Sequence, residues 1–203
     1  MKGLTKDPFN LIIAGVGGQG NLRLADIIGQ ALLNSGYIVA IGDTLGGAQR
    51  GGSVASQMRI SSKMGYGPYI PEGQADIILG MEPIETLRVL TKYGSPATAV
   101  ITSNRPISSV DLFGKRANYP VVDVIMNNIR ELAGKVWIID AVREALSLGK
   151  PIYANMILVG ALVGTGLLPL PVKAIGEQLK LSSAVEAEAN MMAVGKGLAM
   201  VAK

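Results

Sequence analysis

Neither cysteine nor histidine occurs anywhere in the 203 residues. Iron–sulfur clusters are held by thiolates or occasionally imidazole, haem iron usually by His, Met or Cys, and zinc mostly by Cys and His. This chain therefore lacks the usual ligands of all three, and in isolation it is expected to be colourless and redox-silent. The same absence removes Ser-His and Cys-His nucleophilic machinery and any imidazole base near neutral pH. Covalent chemistry would fall to Lys, Ser, Tyr or carboxylates. Charge and aromatics are also scarce: charged residues make up 17% of the chain and aromatics 4%, against 49% apolar residues. So little charge barely covers a free monomer, and part of the apolar surplus is expected to face a partner, or a second copy of the chain in a homodimer when that partner is absent.

Long apolar runs are missing as well. The first residues, Met1 to Asp7, lead into an apolar run that Gly15 soon ends, so a signal-peptide core is not present and a cytoplasmic location is expected. The longest apolar window, Ile152 to Leu170, is interrupted by Asn155, by glycines and by Pro169, which reads as a buried helix and not a membrane span. The net charge of +4 comes from scattered Lys and Arg, and the one close basic pair, Lys115-Arg116, has no aromatic neighbours. Nucleic acid is not an expected partner.

What is present is an alternation of strand-like and helix-like segments, with no repeat and no charged linker, in a length suited to one domain over 1–203. The patterning predicts a Rossmann-like α/β fold: a mostly parallel sheet with flanking helices and one antiparallel or edge strand. A strand is expected over Asn10 to Ala14 and a helix from about Asn21 to Ser35, carried by Leu22, Ala25, Ile27, Ile28, Leu32 and Leu33 and stopped at Gly36. A second strand over Tyr37 to Ile41 leads into a glycine-rich loop, Gly42 to Gly52, and a third strand over Ser53 to Ile60. No amphipathic helix separates these two, so the third strand is expected to be antiparallel or at an edge. Later strands are expected over Ala75 to Leu79, Ala97 to Thr102 and Val136 to Ile139. Helices are expected from Pro83 to Lys92, Ala141 to Leu148, Tyr153 to Val163, Pro171 to Leu179 and Ser183 to Val201.

Gly15-Val16-Gly17-Gly18-Gln19-Gly20 lies between the first strand and the helix that Asn21 opens, the setting a dinucleotide-type glycine fingerprint requires. Glycines there bring backbone N–H groups close to an anion at a helix N-terminus; alternatively, they serve only close strand-to-helix packing. Asp43 follows the second strand where an NAD-binding domain places its ribose carboxylate, although a turn or capping role fits equally. A second glycine cluster, Thr44-Leu45-Gly46-Gly47-Ala48-Gln49-Arg50-Gly51-Gly52-Ser53, sets Arg50 among side-chain-free neighbours, where its guanidinium could hold a phosphate or carboxylate. Glu72, Asp76, Glu82 and Glu85 could be read as a magnesium or acid/base cluster, but Glu82-Pro83-Ile84-Glu85 reads more simply as a helix start.

Four blocks in order, Gly15 to Gly20, Ala48 to Val54, Ile70 to Asp76 and Met81 to Arg88, together resemble the beta subunit of indolepyruvate ferredoxin oxidoreductase, equivalent to the gamma subunit of pyruvate and ketoisovalerate 2-oxoacid:ferredoxin oxidoreductases. The C-terminal half is less distinctive, joining through Asp140-Ala141 and the Asn155 helix. The resemblance implies CoA-dependent oxidative decarboxylation of a 2-oxoacid, with electrons passed to ferredoxin. It implies that thiamine diphosphate, Mg2+ and [4Fe-4S] clusters belong to a large partner subunit. The residues read as cofactor-binding are Gly15, Gly17, Gly18, Gln19, Gly20, Asn21, Asp43, Thr44, Gln49, Arg50, Gly51, Gly52 and Ser53, with none in a catalytic role. The indolepyruvate branch commonly has His where this chain has Leu45, which leaves the 2-oxoacid open. The competing readings are a freestanding NAD-, FAD- or ADP-binding or regulatory module, and a purely structural subunit.

Overall fold

The computed structural model describes residues 3–46, 51–107 and 119–201. Its elements in chain order are β1 (Phe9–Val16), α1 (Asn21–Asn34), β2 (Ile38–Leu45), β3 (Ser53–Ser61), β4 (Ile77–Gly80), α2 (Pro83–Tyr93), β5 (Ala99–Ser103), α3 (Val122–Leu132), β6 (Lys135–Ile139), α4 (Ala141–Ser147), a 3-10 turn (Pro151–Tyr153), α5 (Ala154–Gly164), α6 (Val172–Ser182) and α7 (Ala184–Val201). Six strands form one sheet in the order β2-β3-β1-β4-β5-β6. The pairs β1–β4, β4–β5 and β5–β6 are parallel, and β3 alone runs against its neighbours β1 and β2. The expected mostly parallel sheet with an antiparallel strand is thus the observed one.

Both faces of the sheet are covered, which is why β1 reads as an apolar run from Leu11 to Ala14 without polar alternation. Successive side chains alternate between faces. Leu11 and Ile13 join Leu24, Ile28 and Leu32 of α1 and Ile157 and Leu162 of α5 in one core, while Ile12 and Ala14 join Val89 and Leu90 of α2 and Ile125 and Ile129 of α3 in the other. Helix α5 is buried along nearly its whole length between the sheet and α7. Close approach is possible there because Gly160 and Gly197 lack a Cβ, which would run into the backbone of Val194 and of Ile157 respectively. Among the described residues no helix is long and apolar enough to cross a membrane.

Three expectations need correction. Strand β2 does not stop at Ile41: pairing of Thr44 with Ala55 and Leu45 with Val54 extends it through Gly42, over which Pro68 and Tyr69 pack. Helix α3 has no counterpart among the sequence expectations, although Ile125, Met126 and Ile129 bury one face of it. In α1, Leu22 and Leu33 fit the apolar spacing but stand in solvent, the stripe being carried by Leu24, Ala25, Ile27, Ile28, Ala31 and Leu32. The end of the sheet where β1, β4 and β5 finish is called the crest below, and the opposite end the base.

Candidate functional site

The chain leaves β1 into α1 on one face of the sheet and leaves the neighbouring β4 into α2 on the other. Adjacent parallel strands whose connections depart to opposite faces open a crevice beyond their C-terminal ends, the usual ligand position in such sheets. The crest between β1 and β4 is that place.

The glycine turn is tied down from several directions. Gly15 lies within β1, and a Cβ on it would meet the side chains of Gln19 and Asn21. Gly18 and Gly20 have φ of 98° and 87°, left-handed values that favour glycine. The Gln19 side chain accepts from the Val16 N–H at 2.7 Å and donates to the Met81 carbonyl at 3.0 Å, bolting β1 to β4. The Gln19 backbone carbonyl accepts from Asn155 Nδ2 at 2.7 Å, and Asn21 Nδ2 donates to the Val54 carbonyl at 3.1 Å. Gly17 donates to the Gly52 carbonyl at 2.7 Å and Gly51 donates to the Gly17 carbonyl at 3.0 Å, so the two glycine segments are joined by their own backbones. The N–H groups of Val16, Gly17 and Gln19 are therefore engaged within the chain. The donors that can face an anion narrow to Gly18 and the first turn of α1, whose N–H groups have no acceptor within the helix.

The remaining candidates separate. Asp43 accepts from the Ser56 hydroxyl at 2.5 Å. The ribose-binding reading of Asp43 is corrected by strand order: β3 lies between β2 and β1, which puts Asp43 two strand spacings, roughly 10 Å, from the glycine turn's strand. Asp43 is neither a turn nor a cap residue but a strand residue bonded to the next strand. With that the freestanding dinucleotide-binding reading loses its support. Thr44 and Leu45 stand exposed at the end of β2. The Ser53 hydroxyl donates to Glu85 Oε2 at 2.5 Å, an oxygen that Arg88 Nε also approaches at 3.3 Å. Gln49 and Arg50 lie outside the described residues, next to Gly51 and Gly52.

The structure adds residues that sequence reasoning passed over. A cavity of about 350 Å3 opens at the crest, with Gly18, Gln19, Ser103, Arg105 and Asn155 as polar lining and Met81, Ile152 and Leu158 in its apolar wall. A second hollow, about 220 Å3, lies across Gly18 and Gln19 from it and carries Arg23. Among the described residues no carboxylate pairs with either Arg23 or Arg105. Asn155 was visible as the one polar residue opening an apolar helix; Arg105 had no sequence signal.

Beneath the cavity Glu82 is fully buried and caps α2, accepting from the Glu85 N–H at 3.0 Å. Its other oxygen accepts from the Tyr119 hydroxyl at 2.5 Å and the Ile107 N–H at 3.4 Å. Burial pushes the Glu82 carboxyl above its ordinary value, against the opposing pull of those donors, and burial with the adjacent Glu82 pushes the Tyr119 hydroxyl up. The helix-start reading of Glu82 is therefore right, while the four-carboxylate cluster does not assemble. Asp76 bonds Lys6 and the Asn10 N–H, Glu72 faces Lys92, and among the described residues no three acidic side chains gather as a metal site. This arrangement can bind and orient an anion. Glu82, being enclosed, positions α2 and does not reach a ligand.

The family model described as pyruvate ferredoxin/flavodoxin oxidoreductase matches residues 10–200. The chain is 38% identical over 192 residues to indolepyruvate oxidoreductase subunit IorB of Pyrococcus horikoshii, covering 94% of each protein. It is 37% identical over 162 residues to the subunit of the same name from Methanothermobacter thermautotrophicus, covering 80% of this chain and 81% of that one. In fold it is similar to the gamma subunit of a keto/oxoacid ferredoxin oxidoreductase from Geobacter sulfurreducens, with a TM-score of 0.67, 20% identity and coverage of 95% and 98%. It is also similar to part of the 2-oxoglutarate:ferredoxin oxidoreductase of Magnetococcus marinus, solved with 2-oxoglutarate, coenzyme A and succinyl-CoA bound. There the TM-score is 0.72 at 20% identity, over 97% of this chain and 31% of that one. A mostly parallel sheet of this topology, a sequence without Cys or His, a family match over residues 10–200 and relatives covering 80–94% of the chain lead to one assignment: the chain belongs to the pyruvate ferredoxin/flavodoxin oxidoreductase family, as an oxidoreductase subunit of the IorB kind.

Proposed function

We propose that this chain is the small subunit of a cytoplasmic 2-oxoacid:ferredoxin oxidoreductase of the indolepyruvate type, working with a large subunit that holds thiamine diphosphate, Mg2+ and the [4Fe-4S] clusters. The observation that carries the reading is likeness to IorB along nearly the full length of both proteins, in a chain without a single Cys or His. Such a donor set does not fit iron–sulfur clusters, so the redox centres belong to the partner. The part left to this chain is to bind and orient. Leu45, exposed at the end of β2 where the branch commonly has His, is the residue whose exchange to His should shift preference among 2-oxoacids.

The co-substrate in this reading is coenzyme A, and its anionic groups meet the crest at Gly18, the first turn of α1 and Arg50. Arg50 is included because it adjoins Gly51 in the chain, and the Gly51 N–H is bonded to the Gly17 carbonyl. The test is reconstitution with the large subunit and measurement of 2-oxoacid- and CoA-dependent ferredoxin reduction, with indolepyruvate, pyruvate and 2-oxoglutarate compared. Indolepyruvate should give the highest kcat/KM. Arg50→Lys, which keeps charge and loses the planar fork, should raise the KM for coenzyme A by about tenfold or more. Absence of any 2-oxoacid-dependent reduction by the assembled complex would overturn the reading.

A further inference from the structure

The hollow that holds Arg23 is a meeting point of five elements: the first turn of α1, the 3-10 turn, the start of α5, the end of α6 and the start of α7, represented in its lining by Arg23, Ile152, Asn155, Leu179 and Glu186. Four of them carry an exposed apolar side chain at, or within two residues of, a residue of the lining. Leu22 is 48% exposed, Ile152 60%, Leu181 79% and Val185 95%. Apolar side chains so exposed and so grouped are unusual in a free monomer and mark an interaction surface. Ile152 and Asn155, with Gly18 and Gln19, line both this hollow and the crest cavity. Whatever sits in the hollow is therefore separated from the cavity by little more than the glycine turn.

We infer that this patch, Leu22, Ile152, Leu181 and Val185 around the Arg23 hollow, is the surface that docks the cofactor-bearing large subunit, through an apolar projection accompanied by a carboxylate for Arg23. The inference rests on the subunit role proposed above and gives it a place on the molecule. Three observations select this occupant. Arg23 has no carboxylate partner among the described residues, so an acidic group can be supplied from outside. The surface is concave, and a second copy related by a two-fold axis would set hollow against hollow, whereas a different chain can offer a projection. Lastly, docking here brings the partner's chemistry to the cavity beside the glycine turn, which a redox-silent chain requires.

The experiment measures the affinity of the full-length chain for the large subunit from the same organism by biolayer interferometry, with the oligomeric state of the isolated chain followed by light scattering. Leu181→Glu and Val185→Glu replace exposed side chains, and circular dichroism checks that each variant is folded. Arg23→Glu probes the charge independently. Met64→Glu is the control, since Met64 is 57% exposed just beyond β3 at the base. Each of the three patch variants should weaken the complex by about thirtyfold or more, and Met64→Glu by less than about threefold. Patch variants that bind like the wild type would overturn the inference. So would patch variants that split a homodimer of the isolated chain while the complex with the large subunit persists, because the surface would then belong to a second copy. If the wild-type chain itself forms no complex, the subunit role fails before any variant is made, and the inference fails with it.

Discussion

At the base of the sheet, carboxylates meet their partners in solvent. Lys6 pairs with Asp76 at 2.9 Å and Lys92 lies 3.9 Å from Glu72, all on the surface or near it. Asp7 is half-buried, and hydrogen bonds from Ser61 and then Ser62 hold its carboxyl below the ordinary value. At the crest the corresponding carboxylate, Glu82, is enclosed, accepts from Tyr119, Ile107 and Glu85, and is pushed up by burial. The carboxylates of the base stay in reach of water, whereas Glu82 at the crest is shut away from it. Ligand crevices of parallel sheets lie at strand C-termini because there the connecting loops converge, and here that end also carries the ties of Gln19, Asn155 and Glu82, two arginines that pair with no carboxylate among the described residues, and the exposed side chains of Leu22, Ile152, Leu181 and Val185.

The difference predicts unequal responses to substitution. Glu82→Ala should be the most damaging, at about 3 kcal/mol, because it removes the α2 cap and leaves the buried N–H and O–H donors aimed at Glu82 without an acceptor. Urea unfolding measures it, and a loss below about 1 kcal/mol would mean that the buried ties do not hold the crest together. Asn155→Ala deletes one hydrogen bond to the Gln19 carbonyl and should cost about 1 kcal/mol. In the assembled enzyme it should also raise the KM for coenzyme A, since α5 would no longer fasten the glycine turn.

A gentler distinction appears in pH dependence. Because the folded-state pKa of Glu82 is raised, its contribution to stability is complete below its ordinary 4.5 and is lost as pH rises through the folded value. Asp7 is the reverse case: its contribution is present above its ordinary 3.8 and is lost as pH falls through the depressed folded value. The stability of wild type relative to Glu82→Gln should therefore decline with rising pH, and relative to Asp7→Asn it should increase. Equal signs in denaturation curves collected from about pH 3 to 7 would contradict the contrast between the two ends. The smallest effects belong to the base: Lys6→Ala and Lys92→Ala should each change stability by less than about 0.5 kcal/mol, as exposed ion pairs do.

What could be read in the sequence was local. The glycine turn, the Gly36 stop after α1, now seen with φ of 89°, and the antiparallel β3 all follow from neighbours within a few residues. Gln19 and Asn21 were picked out as cofactor residues by their place in the fingerprint. In the structure they also bind Met81 and Val54, partners 62 and 33 residues away. Asn155 reaches Gln19 across 136 residues, and Glu82 meets Tyr119 across 37. Contacts of that separation leave no periodicity to find. Asp43 misled for the same reason: its position along the chain is that of a ribose ligand, but insertion of β3 beside β1 moves it away, and strand order is not written in any local pattern. Leu22 fits the stripe of α1 and is nonetheless exposed, which only the packing of the first turn reveals and which gave the docking patch one of its members.

The central claim is that the crest, not the base, is covered when the protein works. Hydrogen–deuterium exchange of the full chain, alone and with the large subunit, tests it directly. Protection should appear in segments 17–24, 150–156 and 179–190, which surround the glycine turn and the Arg23 hollow, while segments 3–8, 62–76 and 165–173 at the base keep their rates. Protection confined to the base segments, or no change anywhere on complex formation, would contradict the account.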